Sequence, residues 1–132
     1  MKILIVDRHA YIAEMLRQML SSRGYATVVV EEALSGLAAI HQHRPDLIFL
    51  DNRVPGLPVG QFIRAARTVL PDVEIVLVSG APNIAEIAHG LSVRFLPKPF
   101  DPAQVLWALP EVVRSAQSSA AMKKVSSVAA MS

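Results

Sequence analysis

The sequence contains no cysteine, which excludes a disulfide framework, a thiolate metal site and a cysteine nucleophile. Aromatic residues make up only 5% of the chain, so a buried core has to be built mostly from aliphatic side chains. No apolar run is long enough to cross a bilayer, and the first one ends at Asp7, too soon for the core of a signal peptide. These absences lead us to expect a soluble, cytoplasmic protein.

Neither the basic nor the acidic residues are clustered in one part of the sequence. Lysine and arginine number 13 and aspartate and glutamate 11, which gives a formal net charge of +2. A nucleic-acid surface needs clustered basic side chains, whereas the arginines here are scattered and the one lysine pair is Lys123 and Lys124. We therefore expect neither direct contact with nucleic acid nor membrane association.

The chain does contain enough apolar residues for one core. Hydrophobic residues make up 52% of its 132 positions, and charged residues 18%. Five aliphatic runs alternate with segments whose apolar residues recur at helical spacing. The runs predict strands within 3–6, 27–30, 47–50, 73–78 and 93–96. This alternation predicts an α/β fold with a doubly wound parallel sheet that is covered on both faces.

Turn and capping residues predict where the helices begin and end. Ser35 and Gly36 are suited to cap the second helix. Asp101 followed by Pro102 predicts the start of the last helix, because an acid caps well and proline is tolerated at the first helical position. Pro110 predicts that this last helix is kinked or short.

Polar side chains follow four of the five predicted strands: Asp7, Asp51, Ser79 and Lys98. Ligands of doubly wound sheets bind outside the carboxyl ends of the strands, so we expect these side chains in one crevice. Asp51 is the candidate nucleophile for an acyl phosphate. Lys98 and Ser79 are candidate donors to phosphate oxygens, and Asp7 is a candidate ligand of a divalent cation. Singly, each also has an ordinary interpretation as a helix cap, a turn or a solvated charge.

Six segments together carry a resemblance to a known family: ILIVD at 3–7, RGY at 23–25, PDLIFLD at 45–51, VPG at 54–56, VLVSG at 76–80 and PKPF at 97–100. In this order they resemble the receiver domain of the response regulators of two-component signalling. The resemblance implies a flavodoxin-like fold with five strands in the order 2-1-3-4-5. It also implies that a histidine kinase or phosphotransfer protein donates a phosphoryl group to Asp51.

The same resemblance implies roles for further residues. Ser79 and Phe95 match the hydroxyl and the aromatic residue of the family's switch, and Lys98 matches its lysine. A magnesium ion is implied at Asp7, Asp51 and the backbone carbonyl of Arg53. The peptide bond between Lys98 and Pro99 is often cis in relatives.

The position after Asp7 departs from the family pattern. Most receivers have a second acid there that contacts magnesium directly, whereas this chain has Arg8. Two unit charges about 5 Å apart interact by roughly 3 kcal/mol at an effective dielectric constant near 20, so the sequence predicts a weakened magnesium site. Arg8 either pairs with Asp51 in place of the metal, or it turns into solvent and leaves a weaker site. His9 either contacts phosphate or is simply exposed.

Three functions are compatible with these residues. The first is a stand-alone receiver over residues 1–116, followed by a Ser/Ala-rich tail over 117–132, that signals through an unknown downstream protein. The second, which Arg8 favours, is a degenerate receiver that binds partners without phosphorylation. The third, a phosphohydrolase, would need an acid where Arg53 stands, so we expect no enzyme. A homodimer is left open.

Overall fold

The computed structural model of the protein describes residues 1–109. Strands and helices alternate within that range: β1 Lys2–Val6, α1 Ala10–Ser21, β2 Ala26–Val30, α2 Ala33–His43, β3 Leu47–Asp51, α3 Val59–Val69, β4 Glu74–Ser79, α4 Ile84–Leu91, β5 Arg94–Pro97 and α5 Pro102–Trp107. The strands form one parallel sheet in the order β2-β1-β3-β4-β5. The predicted fold class and strand order are therefore confirmed. The tail predicted over 117–132 lies outside the described residues.

The contacts of the chain divide it into a first unit, Met1–Ile75, and a second unit that begins at Val76. In the first unit, β1 pairs with β2 on one side and with β3 on the other, and Val6 lies opposite both Val30 and Leu50. Every residue of β3 is buried, whereas β2 is only partly buried. Because Val6 and Leu50 are in register, the residues that follow them emerge at the same level of the sheet.

Helix α2 begins earlier than the sequence indicates. Its first residue is Ala33, and the flanking Glu32 makes no side-chain capping bond, so the predicted cap at Ser35 and Gly36 is wrong. The amide of Ala33 instead donates a hydrogen bond of 2.8 Å to the carbonyl of Pro55. A distant loop thus satisfies a helix-terminal N–H that would otherwise need a capping side chain.

Helix α2 also packs closely against its neighbours in the first unit. A Cβ atom added at Gly36 would lie 2.9 Å from the ring of Phe62 in α3 and 3.3 Å from a methyl group of Val6 in β1. Only a residue without a side chain leaves room for this contact. Gly36 is therefore a packing residue of the core rather than a helix cap.

In the second unit, β4 and β5 pair in parallel, with Ser79 opposite Pro97. Helix α5 starts where the sequence predicts: the Asp101 side chain accepts a 2.9 Å hydrogen bond from the amide of Gln104, and the Gln104 side chain accepts one of 2.8 Å from the amide of Asp101. The helix ends at Trp107, before Pro110. Within residues 1–109, none of the helices combines the length and apolarity needed to cross a bilayer.

Candidate functional site

Two buried carboxylates lie at the carboxyl ends of neighbouring strands in the first unit. Asp7 directly follows β1 and Asp51 is the last residue of β3, and they are 1% and 3% exposed. Neither acid is a helix N-cap, because α1 is flanked by His9 and α3 by Pro58. Burying charged groups is costly unless other groups interact with them. The arrangement therefore favours a functional site over a structural cap.

His9 joins these two acids. Asp7 Oδ1 accepts a 2.8 Å hydrogen bond from the backbone amide of His9 and lies 3.1 Å from His9 Nδ1. The same ring nitrogen lies 3.7 Å from Asp51 Oδ2, although half of the His9 side chain is exposed. Of the two interpretations of His9, the simply exposed loop residue does not describe it, because it contacts both acids. The sequence does contain a signal for this contact. In a tight turn, an aspartate side chain often accepts a hydrogen bond from the backbone amide two residues later.

Arg8 does not take the place that one hypothesis gave it. Its side chain is exposed, and within residues 1–109 no hydrogen bond or ion pair joins Arg8 to Asp51. The alternative, in which Arg8 turns into solvent, agrees with this exposure. Arg53 is also exposed, and its backbone amide donates a 3.3 Å hydrogen bond to Asp51 Oδ1. The loop after β3 therefore helps to orient the Asp51 carboxylate.

The remaining predicted site residues lie in the second unit. Ser79 is 5% exposed, and its hydroxyl oxygen accepts a 3.0 Å hydrogen bond from the amide of Ala81. The amide of Lys98 donates a 2.8 Å hydrogen bond to the carbonyl of Ser79, which brings these two residues together. The bond between Lys98 and Pro99 is cis, as it often is in relatives. Phe95 is half-buried in β5.

Comparison with known proteins decides the family. A family model described as the response regulator receiver domain matches residues 3–109. The chain is a receiver domain of the response regulator family. It is 32% identical over 110 residues to the DNA-binding response regulator MtrA of Mycolicibacterium paratuberculosis, which covers 80% of this chain and 48% of that protein. It is 29% identical over 116 residues to the response regulator MprA of Mycobacterium sp. strain KMS, which covers 86% of this chain and 50% of that protein.

Solved structures agree with this assignment. The receiver superimposes on the chemotaxis response regulator CheY4 of Vibrio cholerae with a TM-score of 0.74 and 25% identity, covering 84% of this chain and 97% of that one. For the receiver domain of NtrX from Brucella abortus the TM-score is 0.73 and the identity 32%, covering 80% and 93%. The receiver thus has the flavodoxin-like fold of phosphorelay signalling modules, and it spans about half the length of the curated relatives it matches.

The candidate cation ligands of this receiver include a nitrogen as well as carboxylate oxygens. Asp7, His9 and Asp51 each offer one ligand atom, and these atoms all lie within 4.8 Å of one another. Magnesium demands octahedral oxygen coordination and keeps several waters, whereas imidazole nitrogen suits zinc, copper, iron and nickel. With His9 between the two acids, the cluster differs from the all-oxygen set that the family resemblance implies.

Proposed function

We propose that this receiver accepts a phosphoryl group on Asp51 from the phosphohistidine of a histidine kinase or phosphotransfer protein. The observation that carries the proposal is the position of Asp51. It is a 3% exposed carboxylate at the end of a strand in which every residue is buried, and the Arg53 amide binds one of its oxygens. A carboxylate held in this way is a fixed nucleophile rather than a mobile surface charge.

The proposed transfer needs few parts. A carboxylate oxygen of Asp51 attacks phosphorus, so that a P–O bond forms while the P–N bond to the donor histidine breaks. The donor imidazole leaves with the electron pair of that bond and takes a proton from solvent. The transferred group carries negative charge on its peripheral oxygens, which positive and hydroxyl donors stabilise. We assign this role to the ammonium of Lys98 and the hydroxyl of Ser79.

The proposed switch follows from the same residues. The Ser79 hydroxyl oxygen accepts a hydrogen bond from the Ala81 amide, and its own O–H would rotate to donate to a phosphate oxygen of the modified Asp51. Phe95, which is half-buried in β5, would turn together with Ser79. The altered surface would then bind a downstream protein, so the receiver would signal through contacts and not through catalysis.

Further assignments complete the proposal. We place the receiver over residues 1–116 and a Ser/Ala-rich tail over 117–132, in a cytoplasmic protein. Asp7, Asp51 and the carbonyl of Arg53 would hold magnesium only weakly. The reason is that Arg8 stands where most receivers have a second acidic ligand, so one carboxylate that would balance the charge of the cation is missing.

Acetyl phosphate tests the proposal directly. The native protein is incubated with it, with and without magnesium, and intact mass is measured before the acyl phosphate hydrolyses. We expect the mass of one phosphoryl group to be added to the native protein and none to Asp51→Asn. Asp72→Asn, a change at an exposed aspartate, is the matched control and should still be modified.

Two outcomes would overturn the proposal. One is a native protein that gains no mass under any of these conditions, which would favour the phosphorylation-independent interaction module. The other is an Asp51→Asn variant that is still modified, since another residue would then be the acceptor. If Asp51 is the acceptor, Lys98→Ala should slow its modification, because the transferred group loses its proposed cationic donor.

A further inference from the structure

The cluster of Asp7, His9 and Asp51 has a mixed set of nitrogen and oxygen ligand atoms, which favours cations other than Mg²⁺. We propose that it binds a divalent first-row transition ion that accepts nitrogen ligands, such as Co²⁺ or Zn²⁺, in preference to Mg²⁺. The two acids are 1% and 3% exposed, and one ring nitrogen of His9 faces both of them. The inference concerns the same site as the proposed phosphoacceptor and rests on that proposal for its biological role.

The distances fit the coordination sphere of such an ion. Ligand atoms about 2.1 Å from a metal lie about 3.0 Å apart when they are at right angles and about 4.2 Å apart when they are opposite. His9 Nδ1 lies 3.1 Å from Asp7 Oδ1 and 3.7 Å from Asp51 Oδ2, which falls within this range. All three ligand atoms lie within 4.8 Å of one another, a limit slightly above this range, so small shifts would let them meet one ion.

Charge and ligand chemistry point the same way. Two carboxylates balance the charge of a divalent ion, and a neutral imidazole supplies a third donor without adding charge. Imidazole contributes strongly to the binding of cobalt, nickel and zinc and little to that of magnesium. Carboxylates alone already bind later transition ions more tightly than earlier ones. The specific contribution of His9 is therefore seen in the ratio of the Co²⁺ affinity to the Mg²⁺ affinity, and not in either affinity alone.

Calorimetric titration of the full chain with Co²⁺ and with Mg²⁺, in the absence of phosphate, measures this ratio. We expect the native protein to bind Co²⁺ at least about tenfold more tightly than Mg²⁺, and His9→Ala to lose about tenfold in Co²⁺ affinity with little change for Mg²⁺. The visible absorption bands of bound Co²⁺ should change in the same variant. His41→Ala, at an exposed histidine of α2, is the matched control and should bind both ions as the native protein does.

His9→Gln retains a polar side chain of similar length and guards against a loss of structure in the alanine variant. An unchanged ratio of Co²⁺ to Mg²⁺ affinity in both His9 variants would overturn the inference, and so would native binding of Mg²⁺ as tight as that of Co²⁺. Phosphorylation of Asp51 without any preference for Co²⁺ would refute the inference and leave the proposed function intact. Co²⁺ bound through His9, with no phosphorylation of Asp51, would support the inference and refute the proposed function.

Discussion

Strands β3 and β5 differ in how deeply they are buried. Every residue of β3 is buried, whereas Leu96 is the one buried residue of β5. A strand covered on both faces by close-packed side chains holds its last residue in place, which suits Asp51 as a fixed acceptor. Phe95 is only half-buried in β5, which suits its proposed role as a side chain that changes position. The comparison teaches that this receiver holds its proposed phosphoacceptor on a fully buried strand and its proposed switch aromatic on a strand that is only partly buried.

The largest effect expected from this comparison is on stability. Phe49 in β3 is 1% exposed, so Phe49→Ala should lower the free energy of unfolding by about 3–5 kcal/mol. Phe95→Ala in β5 should cost about 1–2 kcal/mol, because its ring is already partly in water. Urea unfolding followed by circular dichroism measures both. Equal losses would contradict the difference in burial.

Two glycines sharpen the comparison between close and open packing. Gly36→Ala should destabilise the protein by about 1–3 kcal/mol, because the new methyl group would overlap the ring of Phe62. Gly90 lies in α4, and a Cβ there would meet no heavy atom of the described residues within 4 Å. Gly90→Ala should therefore stabilise the protein by about 0.5–1 kcal/mol through helix propensity. Thermal unfolding of both variants checks the opposite signs.

Helix α5 tests how far an element of the second unit depends on local bonds. Asp101→Ala removes the acceptor of its capping box and should cost about 1 kcal/mol. Asp101→Asn keeps an acceptor oxygen and should cost much less. Equilibrium unfolding in urea compares the two variants. If both lose the same stability, the negative charge of Asp101 and not its hydrogen bond stabilises the helix.

The smallest effect is expected on the surface of the first unit. Glu14 and Arg17 form an exposed ion pair on α1. The hydrogen bond from Arg17, followed by its charge, lowers the pKa of Glu14. The pair's contribution to stability is therefore present above the ordinary carboxyl pKa and is lost as the pH falls through the lowered value. Glu14→Gln should be slightly less stable than the native protein at neutral pH and equal to it in acid, with a gap that salt reduces. Unfolding midpoints measured at both pH values test this.

Most of the fold could be predicted because it depends on local patterns. Uninterrupted aliphatic runs are typical of strands covered on both faces, and the acidic residue and proline at Asp101 and Pro102 mark a helix start in any context. The start of α2 could not be predicted in this way. The acceptor for the amide of Ala33 is the carbonyl of Pro55, which is distant in sequence. A contact of that kind leaves no local signal.

The candidate site was predictable to a similar extent. The positions of Asp7 and Asp51 follow from where two strands end, so the sequence predicts them well. The role of Arg8 was open, because charge alone does not say whether a long side chain folds inward or into solvent. The turn at Asp7 decides instead that His9 faces the two acids. The actions of Ser79 and Lys98 on Asp51 stay predictions.

The hydrogen bond between Ala33 and Pro55 makes one amide a natural reporter. The first amides of a helix have no acceptor within it, and those exposed to water exchange their protons quickly. The proton of Ala33 is protected by a carbonyl in the loop that follows Asp51. Its exchange rate, read from a single resonance, therefore tracks how often that loop opens, and it would record any change that modification of Asp51 imposes on the loop.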